Sequence, residues 1–195
     1  MKFIDWLIDR TRAISRLSLW AAGAFMIATV FLIGAEIVVR KMGSGMISGA
    51  SEVGGYLLAT CSVWAYSYTL LQRSHIRFDI LYVRCGPRTR GWLDLVGLLA
   101  LGIFIFTVTY HAYAVLSTSI SFDTRSNSSL AVPQWIPQSV WFAGLAFLCW
   151  TISILSVRVL IALLQKDLAT VARLAGTVMA DEEVKREADA IPERG

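Results

Sequence analysis

The chain contains four long apolar stretches, and their length constrains its fold more than any other feature. They lie at residues 17–39, 53–71, 92–115 and 139–157 and carry few charged residues. A helix that crosses the ~30 Å hydrocarbon core of a bilayer needs about 20 mostly apolar residues. A soluble domain with 195 residues, 56% of them hydrophobic, could not bury this much apolar surface. The sequence therefore predicts an all-α integral membrane protein with four transmembrane helices.

The basic residues indicate how these helices are oriented. Most of the 18 Lys and Arg residues lie before the first stretch, between the second and third, or after the fourth. The other two connections contain only Arg40, Lys41 and Arg125. By the positive-inside rule, both termini and the central loop are expected in the cytoplasm. A net charge of +4 distributed in this way reflects topology and does not favour binding to nucleic acid.

The termini are expected to differ from the membrane domain between them. Residues 1–16 place charged side chains on one helical face and apolar ones near the other. We expect an amphipathic helix in the inner headgroup layer, anchored by Trp6, before the chain turns into the bilayer. A cytoplasmic extension of the first span is the alternative. The four-helix membrane domain then occupies residues 17–164, and a charged cytoplasmic tail occupies residues 165–195.

Two acidic residues near the outer membrane surface are candidate contact residues. Glu36 lies four residues before Arg40, so the two can pair on one face of the first helix. This local partner favours a structural or subunit-contact role for Glu36. Ser51 is expected to cap the second helix, with Glu52 in its first turn at the positive end of the helix dipole. Glu52 can also face a partner protein, and the sequence leaves both roles open.

The central loop contains a compact charged motif made of His75, Arg77 and Asp79. We interpret it as a turn that fixes the inner end of the second span. A metal site would need further ligands at matching spacing, and no nucleophile with a positioned base is present. His111 lies roughly a membrane thickness from His75, so the two cannot clamp one haem iron. We therefore predict no metal site, no catalytic residue and no cofactor.

Prolines mark the entries to the last two spans. Pro87 is expected to end the segment before the third span, with Asp94 in the first turn of the helix that follows. Pro133, Trp135 and Pro137 predict a rigid turn at the level of the headgroups before the fourth span.

Four local motifs, in this order, resemble those of the small membrane subunit of tripartite ATP-independent periplasmic (TRAP) transporters. Residues 36–40 resemble that family's acid-to-arginine end of helix one, and residues 51–53 its Ser-Glu-aliphatic opening of helix two. Residues 75–79 resemble its His-Ile-x-aliphatic-Asp cytoplasmic motif, and residues 133–137 its proline-aromatic entry to helix four. The resemblance covers residues 17–157, and the histidine motif is its most specific part.

The resemblance implies a role in sodium-driven import across the bacterial inner membrane. Such a subunit pairs with a larger multi-span subunit that carries the substrate and sodium sites, and a periplasmic binding protein delivers an organic acid such as a carboxylate or sugar acid. This chain has no run of ion-coordinating groups near the bilayer midplane. We therefore expect a scaffold or interface subunit, which contacts membrane lipids, the large subunit through spans one and two, and the binding protein through its outer loops.

Two other functions remain open from the sequence. A small self-sufficient exporter would need a carboxylate deep in the first span, whereas Glu36 lies near its outer end. A generic four-helix assembly factor would show the same composition and topology, and only the identity of its partners separates it from a transporter subunit.

Overall fold

The computed structural model describes residues 2–42, 49–72, 85–128, 130–167, 170, 171 and 174. These residues form four α-helices, which confirms the predicted all-α class. The helices are α1 (Lys2–Lys41), α2 (Ala50–Leu71), α3 (Pro87–Ser121) and α4 (Trp135–Leu164).

Helix α1 runs without a break through 40 residues. The turn expected between residues 1–16 and the first span is absent, and that part of the prediction was wrong. Residues 2–22 contain no Gly or Pro that would end a helix. Five buried positions of α1 recur every seven residues, a spacing that keeps one side of the helix against its neighbours. These five are Ile8, Ser15, Ala22, Thr29 and Glu36, and Thr11 is buried as well.

The helices pack in the order α1–α2–α4–α3, with a smaller contact between α1 and α4. Small residues lie where the helices approach closely. A Cβ atom added to Gly54 of α2 would come 3.0 Å from Ile33 of α1, and one added to Gly144 of α4 would come 2.9 Å from Trp64 of α2. Small residues at such contacts are typical of helix packing in membranes. This open row leaves broad faces of α1 and α3 uncovered.

Three of the described helices, α1, α3 and α4, are long and apolar enough to cross a membrane. Their uncovered faces carry large apolar side chains, such as Phe31 of α1 (73% exposed) and Ile103 of α3 (71% exposed). Helix α2 has 22 residues and does not reach the same hydropathy. A membrane crossing by α2 therefore stays a prediction, as does the location of both termini in the cytoplasm.

The start of α2 differs from its prediction. The residue before the helix is Gly49, with φ of 92°, and no side chain caps the helix. The Val53 N–H donates to the Gly49 carbonyl oxygen at 2.9 Å. Ser51 was wrongly predicted as the cap, because glycine adopts the left-handed conformation that lets the helix begin earlier. Glu52 does lie in the first turn, as predicted.

Prolines lie inside two helices rather than before them. Pro87 begins α3, and Pro137 lies in the first turn of α4, which begins at Trp135. The turn predicted at residues 133–137 was wrong for Trp135 and Pro137, because proline fits a first turn, where its missing N–H would have no acceptor within the helix. Pro87 lies at the entry to the third span, as expected. Asp94 consequently lies beyond the first turn of α3, where it is only 3% exposed.

Helix α4 ends in a tight motif, and the packed structure continues beyond it. The N–H groups of Lys166 (φ of 58°) and Asp167 donate to the carbonyl oxygens of Leu163 and Ala162, at 3.1 and 2.9 Å. Val171 is 2% exposed and packs in the core near the start of α3. Part of the predicted tail therefore belongs to the packed domain, and residues 175–195 lie outside the described residues.

Candidate subunit-interface site

Glu52 connects the first turn of α2 with the loop between α3 and α4. The Tyr56 hydroxyl donates to Glu52 Oε1 at 2.7 Å, and the Ser128 hydroxyl donates to Glu52 Oε2. Glu52 precedes the predicted span at 53–71. The hydroxyls of Ser126, Ser128 and Tyr56 hold the pKa of Glu52 below its ordinary value, because they donate to the charged carboxylate. Glu52 is therefore an anion at neutral pH.

The described residues of the loop at 122–134 are joined by hydrogen bonds within the loop. The Ser126 N–H donates to the Val132 carbonyl oxygen at 3.0 Å, and the Gln134 N–H donates to the Thr124 carbonyl oxygen at 2.9 Å. These bonds bring the two arms of the loop together. The loop therefore presents Ser126 and Ser128 to Glu52 from a closed backbone.

A second contact holds this loop against the start of α2. The side chain of Leu130 lies over Gly49, where an added Cβ atom would come 2.1 Å from Leu130 Cδ1. Gly49 thus serves two purposes, because it also supplies the positive φ at the start of the helix. The end of the domain that holds Glu52, which we call the outer end after its predicted location, is fixed by one polar and one apolar contact between segments distant in sequence.

Glu36 and Arg40 form the predicted pair near the outer end of α1. The Arg40 guanidinium donates to Glu36 Oε1. The Glu36 side chain is 7% exposed and that of Arg40 is 60% exposed. The carboxylate therefore lies within the packed helices, and the guanidinium reaches the surface of the protein.

The three remaining outer residues lie around the start of α4. Pro133 accepts a hydrogen bond from the Ile136 N–H at 3.2 Å, and Trp135 is 42% exposed. Pro137 and Tyr56 line a groove of about 220 Å³ between α4 and α2. The structure thus brings Pro137 and Glu52 to the same region, since Tyr56 contacts both the groove and the carboxylate.

The motif of His75, Arg77 and Asp79, which is predicted to be cytoplasmic, lies outside the described residues. Its role stays a prediction. Within the part of the chain that the structure does describe, no group of three or more His, Cys, Asp or Glu residues is placed to hold a metal ion.

An ion pair that the sequence did not predict lies at the end of the domain that we call the inner end, after its predicted location. Arg158 Nε of α4 donates to Asp5 Oδ1 of α1 at 2.8 Å, across 153 positions of sequence. The Arg158 side chain is 7% exposed, whereas that of Asp5 is 45% exposed. The only signal in the sequence was the position of Arg158 directly after the uncharged stretch at 139–157. That Asp5 is its partner depends on the packing of α1 against α4.

A comparison with known protein families adds to this geometry. The family model described as "Tripartite ATP-independent periplasmic transporters, DctQ component" matches residues 29–163, which is more than half of the chain. The match begins within α1, ends at the last turn of α4, and includes the outer candidate residues. No individual curated protein matches the chain. The chain therefore belongs to the DctQ family, the small membrane component of TRAP transporters.

Proposed function

We propose that this chain is the scaffold or interface subunit of a sodium-driven importer of organic acids. Its family is one of transporter components rather than enzymes. In this proposal a larger multi-span subunit carries the substrate and sodium ions, and a periplasmic binding protein delivers a carboxylate or sugar acid. The chain lies in the bacterial inner membrane with both termini in the cytoplasm.

The observation that best supports a scaffold role for this chain is that its four helices are continuous. All described residues with positive φ lie outside the helices, at Gly49, Asp123, Ala131 and Lys166. Secondary transporters typically build their substrate and ion sites from interrupted helices, whose freed backbone groups coordinate the cargo. Continuous helices suit a subunit that positions and stabilises the transport subunit.

The outer residues supply the contacts that such a subunit needs. Glu52 and the described residues of the loop at 122–134 form an outer surface, on which a binding protein can dock. Arg40 is an exposed cation at the same end of the helices. We assign Ser51, Pro133 and Trp135 to this surface, and His75, Arg77 and Asp79 to an inner contact with the large subunit.

Purification from native membranes tests this assignment. The tagged chain is extracted in mild detergent, and the proteins that accompany it are quantified by mass spectrometry. We expect one large multi-span membrane protein in a fixed ratio to the chain. Recovery of the chain alone, or only as a homo-oligomer, would contradict the proposal and favour a self-sufficient exporter or an assembly factor.

A further inference from the structure

One face of the first half of α1 is apolar except for a single cation. Its residues recur at intervals of three and four along the helix, which keeps them on one side. All six side chains are exposed, and the five apolar ones range from 49% to 72% exposed. We call this surface the α1 face, and it consists of Phe3, Trp6, Arg10, Ile14, Leu17 and Trp20.

The α1 face lies on the opposite side of the helix from the packed side. Ile8 and Ser15 are buried against the other helices. Arg10 follows Ile8 by two residues, which is more than half a turn of a helix with 3.6 residues per turn. The α1 face therefore points away from the described helices, in a helix long and apolar enough to cross a membrane.

The cation of this face is held against an aromatic ring. The Arg10 Cζ atom lies 5.3 Å from the centre of the Trp6 ring, and Phe3 stacks on Trp6 with ring centroids 6.1 Å apart. Attraction between a guanidinium and the face of an indole ring stabilises such a contact. A ring face accepts no N–H hydrogen bond of the ordinary kind, so the guanidinium retains donors for an anion.

Among the described residues, no carboxylate pairs with Arg10. The first 16 residues contain two acids, Asp5 and Asp9, and each has another partner. Asp5 pairs with Arg158 at 2.8 Å, and Asp9 pairs with Arg12 at 3.8 Å. An arginine on an apolar, lipid-facing surface is stable only where its head group reaches water or an anion.

The position of Arg10 along α1 suits the layer of lipid phosphates. The predicted first span begins at residue 17, so Arg10 lies ~10 Å before it at 1.5 Å per residue. The headgroup region adds about 5–8 Å on each side of the hydrocarbon core. A long arginine side chain and the tilt that long helices adopt make up the difference. Trp6 then lies near the membrane interface, where tryptophan is enriched.

We propose that the α1 face binds an anionic phospholipid, whose phosphate pairs with Arg10 and whose acyl chains lie along Leu17 and Trp20. The unpaired cation selects a negatively charged headgroup. The guanidinium can donate two parallel N–H groups to the phosphate oxygens. The exposed apolar residues favour a lipid over a free anion, because a free anion would leave them uncovered. This site goes beyond the proposed transport role and does not depend on the identity of the other subunits.

Lipid binding to the purified chain tests the proposal. The chain is freed of lipid in detergent and titrated with phosphatidylglycerol or with phosphatidylcholine of the same acyl chains, and native mass spectrometry counts the bound lipids. We expect the wild type to prefer phosphatidylglycerol about fivefold. Arg10→Gln should lose this preference, and Arg10→Lys, which retains the charge, should keep part of it.

Arg12→Gln is the matched control. It removes the same charge from an exposed arginine of the same helix, but that arginine already has Asp9 as its partner. We expect this variant to keep the preference of the wild type. Inorganic phosphate, added at the concentration of the lipid, should not displace phosphatidylglycerol from the wild type, because it lacks acyl chains.

Crosslinking in native membranes identifies what covers the α1 face and does not require an arginine variant to fold. The Ile14→Cys chain is labelled with a thiol-directed photocrosslinker, and the wild-type chain gives the background from its three native cysteines. We expect lipid adducts enriched in anionic phospholipid. A protein adduct at position 14 in place of these lipids would show that another subunit covers the face and would overturn the inference.

The binding results can overturn the inference in three further ways. Equal lipid preference in the wild type and Arg10→Gln would exclude Arg10 as the contact. Equal loss in Arg10→Gln and Arg12→Gln would indicate general attraction by positive charge. Displacement of the lipid by inorganic phosphate would indicate a site for free anions. None of these outcomes depends on whether a large subunit co-purifies with the chain, so the proposed function stands or fails separately.

Discussion

The outer and inner ends of the domain are held together by different physical means. At the outer end, the carboxylate of Glu52 accepts hydrogen bonds from Tyr56 and Ser128, and this links α2 to a loop 76 positions away. At the inner end, α1 meets α4 in an apolar cluster that includes Ile8 and Val159, and Asp5 pairs with Arg158 at 2.8 Å. One end depends on an ionised group near the surface, and the other on a guanidinium that is almost fully buried.

This difference indicates at which end of the domain a side chain can be substituted while the fold is kept. A polar contact at the surface can be lost while the helices stay packed, since water replaces the missing partner. A buried cation that loses its carboxylate has no such replacement. The inner contact is therefore expected to be the more sensitive of the two to substitution.

Removal of the carboxylate at the inner end should have the largest effect. Asp5→Ala is expected to lower the free energy of unfolding by about 2 kcal/mol, less than for a fully buried pair because Asp5 is half exposed. Thermal or denaturant unfolding in detergent measures this. Asp9→Ala is the matched control, because Asp9 pairs at 3.8 Å with an exposed Arg12. Equal stability of the two variants would contradict a structural role for the buried pair.

Substitution of Gly49 should have the next largest effect and should act at the outer end. Gly49→Ala is expected to lower the free energy of unfolding by about 1 kcal/mol, because alanine disfavours a positive φ and its Cβ atom would displace Leu130. Gly97→Ala is the control, since Gly97 lies in α3 with open space around it. That variant should gain up to about 1 kcal/mol in helix propensity. Equal changes in the free energy of unfolding in the two variants would show that Leu130 does not pack against Gly49.

Neutralisation of Glu52 should have a smaller effect, which depends on pH. The pKa of Glu52 in the folded chain lies below its ordinary value of 4.5. Its contribution to stability is therefore complete above the ordinary pKa and is lost as the pH falls through the lowered value. Glu52→Gln should increase hydrogen exchange in residues 122–134 at pH 7 and remove the contribution of Glu52 to the pH dependence. Identical exchange in the variant and the wild type at pH 7 would exclude this link.

Disruption of the exposed ion pair in the outer loop should have the smallest effect. Arg125 and Asp123 lie 3.3 Å apart, with side chains 56% and 67% exposed. Arg125→Ala is expected to change the free energy of unfolding by no more than about 0.5 kcal/mol, because water screens the pair. The same unfolding and exchange experiments compare this variant with Glu52→Gln. A larger loss of stability in Arg125→Ala would indicate that Arg125, and not Glu52, makes the main contact of the loop.

Local sequence patterns predicted the features that local physics determines. The apolar stretches predicted the four helices, and the spacing of Glu36 and Arg40 predicted their pair. The predictions failed at helix starts, where Gly49 took the place expected for Ser51 and Pro137 entered a first turn. Both residues are compatible with more than one backbone state, and neighbouring segments determine which one forms.

The contacts between distant segments could not be predicted from the sequence. Nothing in the composition of the outer loop identifies Ser128 as the partner of Glu52. The same holds for Asp5 and Arg158, whose contact requires α1 to continue inward beyond the first span. The family resemblance predicted candidate contact residues, and the folded structure shows which of the described ones meet.

Uptake by reconstituted liposomes tests most directly the claim that this chain is an essential subunit that does not itself transport. The large subunit, the binding protein and an organic acid bound by that protein are combined with and without this chain, under an inward sodium gradient. We predict uptake that requires both the gradient and this chain, and none from this chain alone. Unchanged uptake when the chain is omitted, or uptake by the chain alone, would contradict this account.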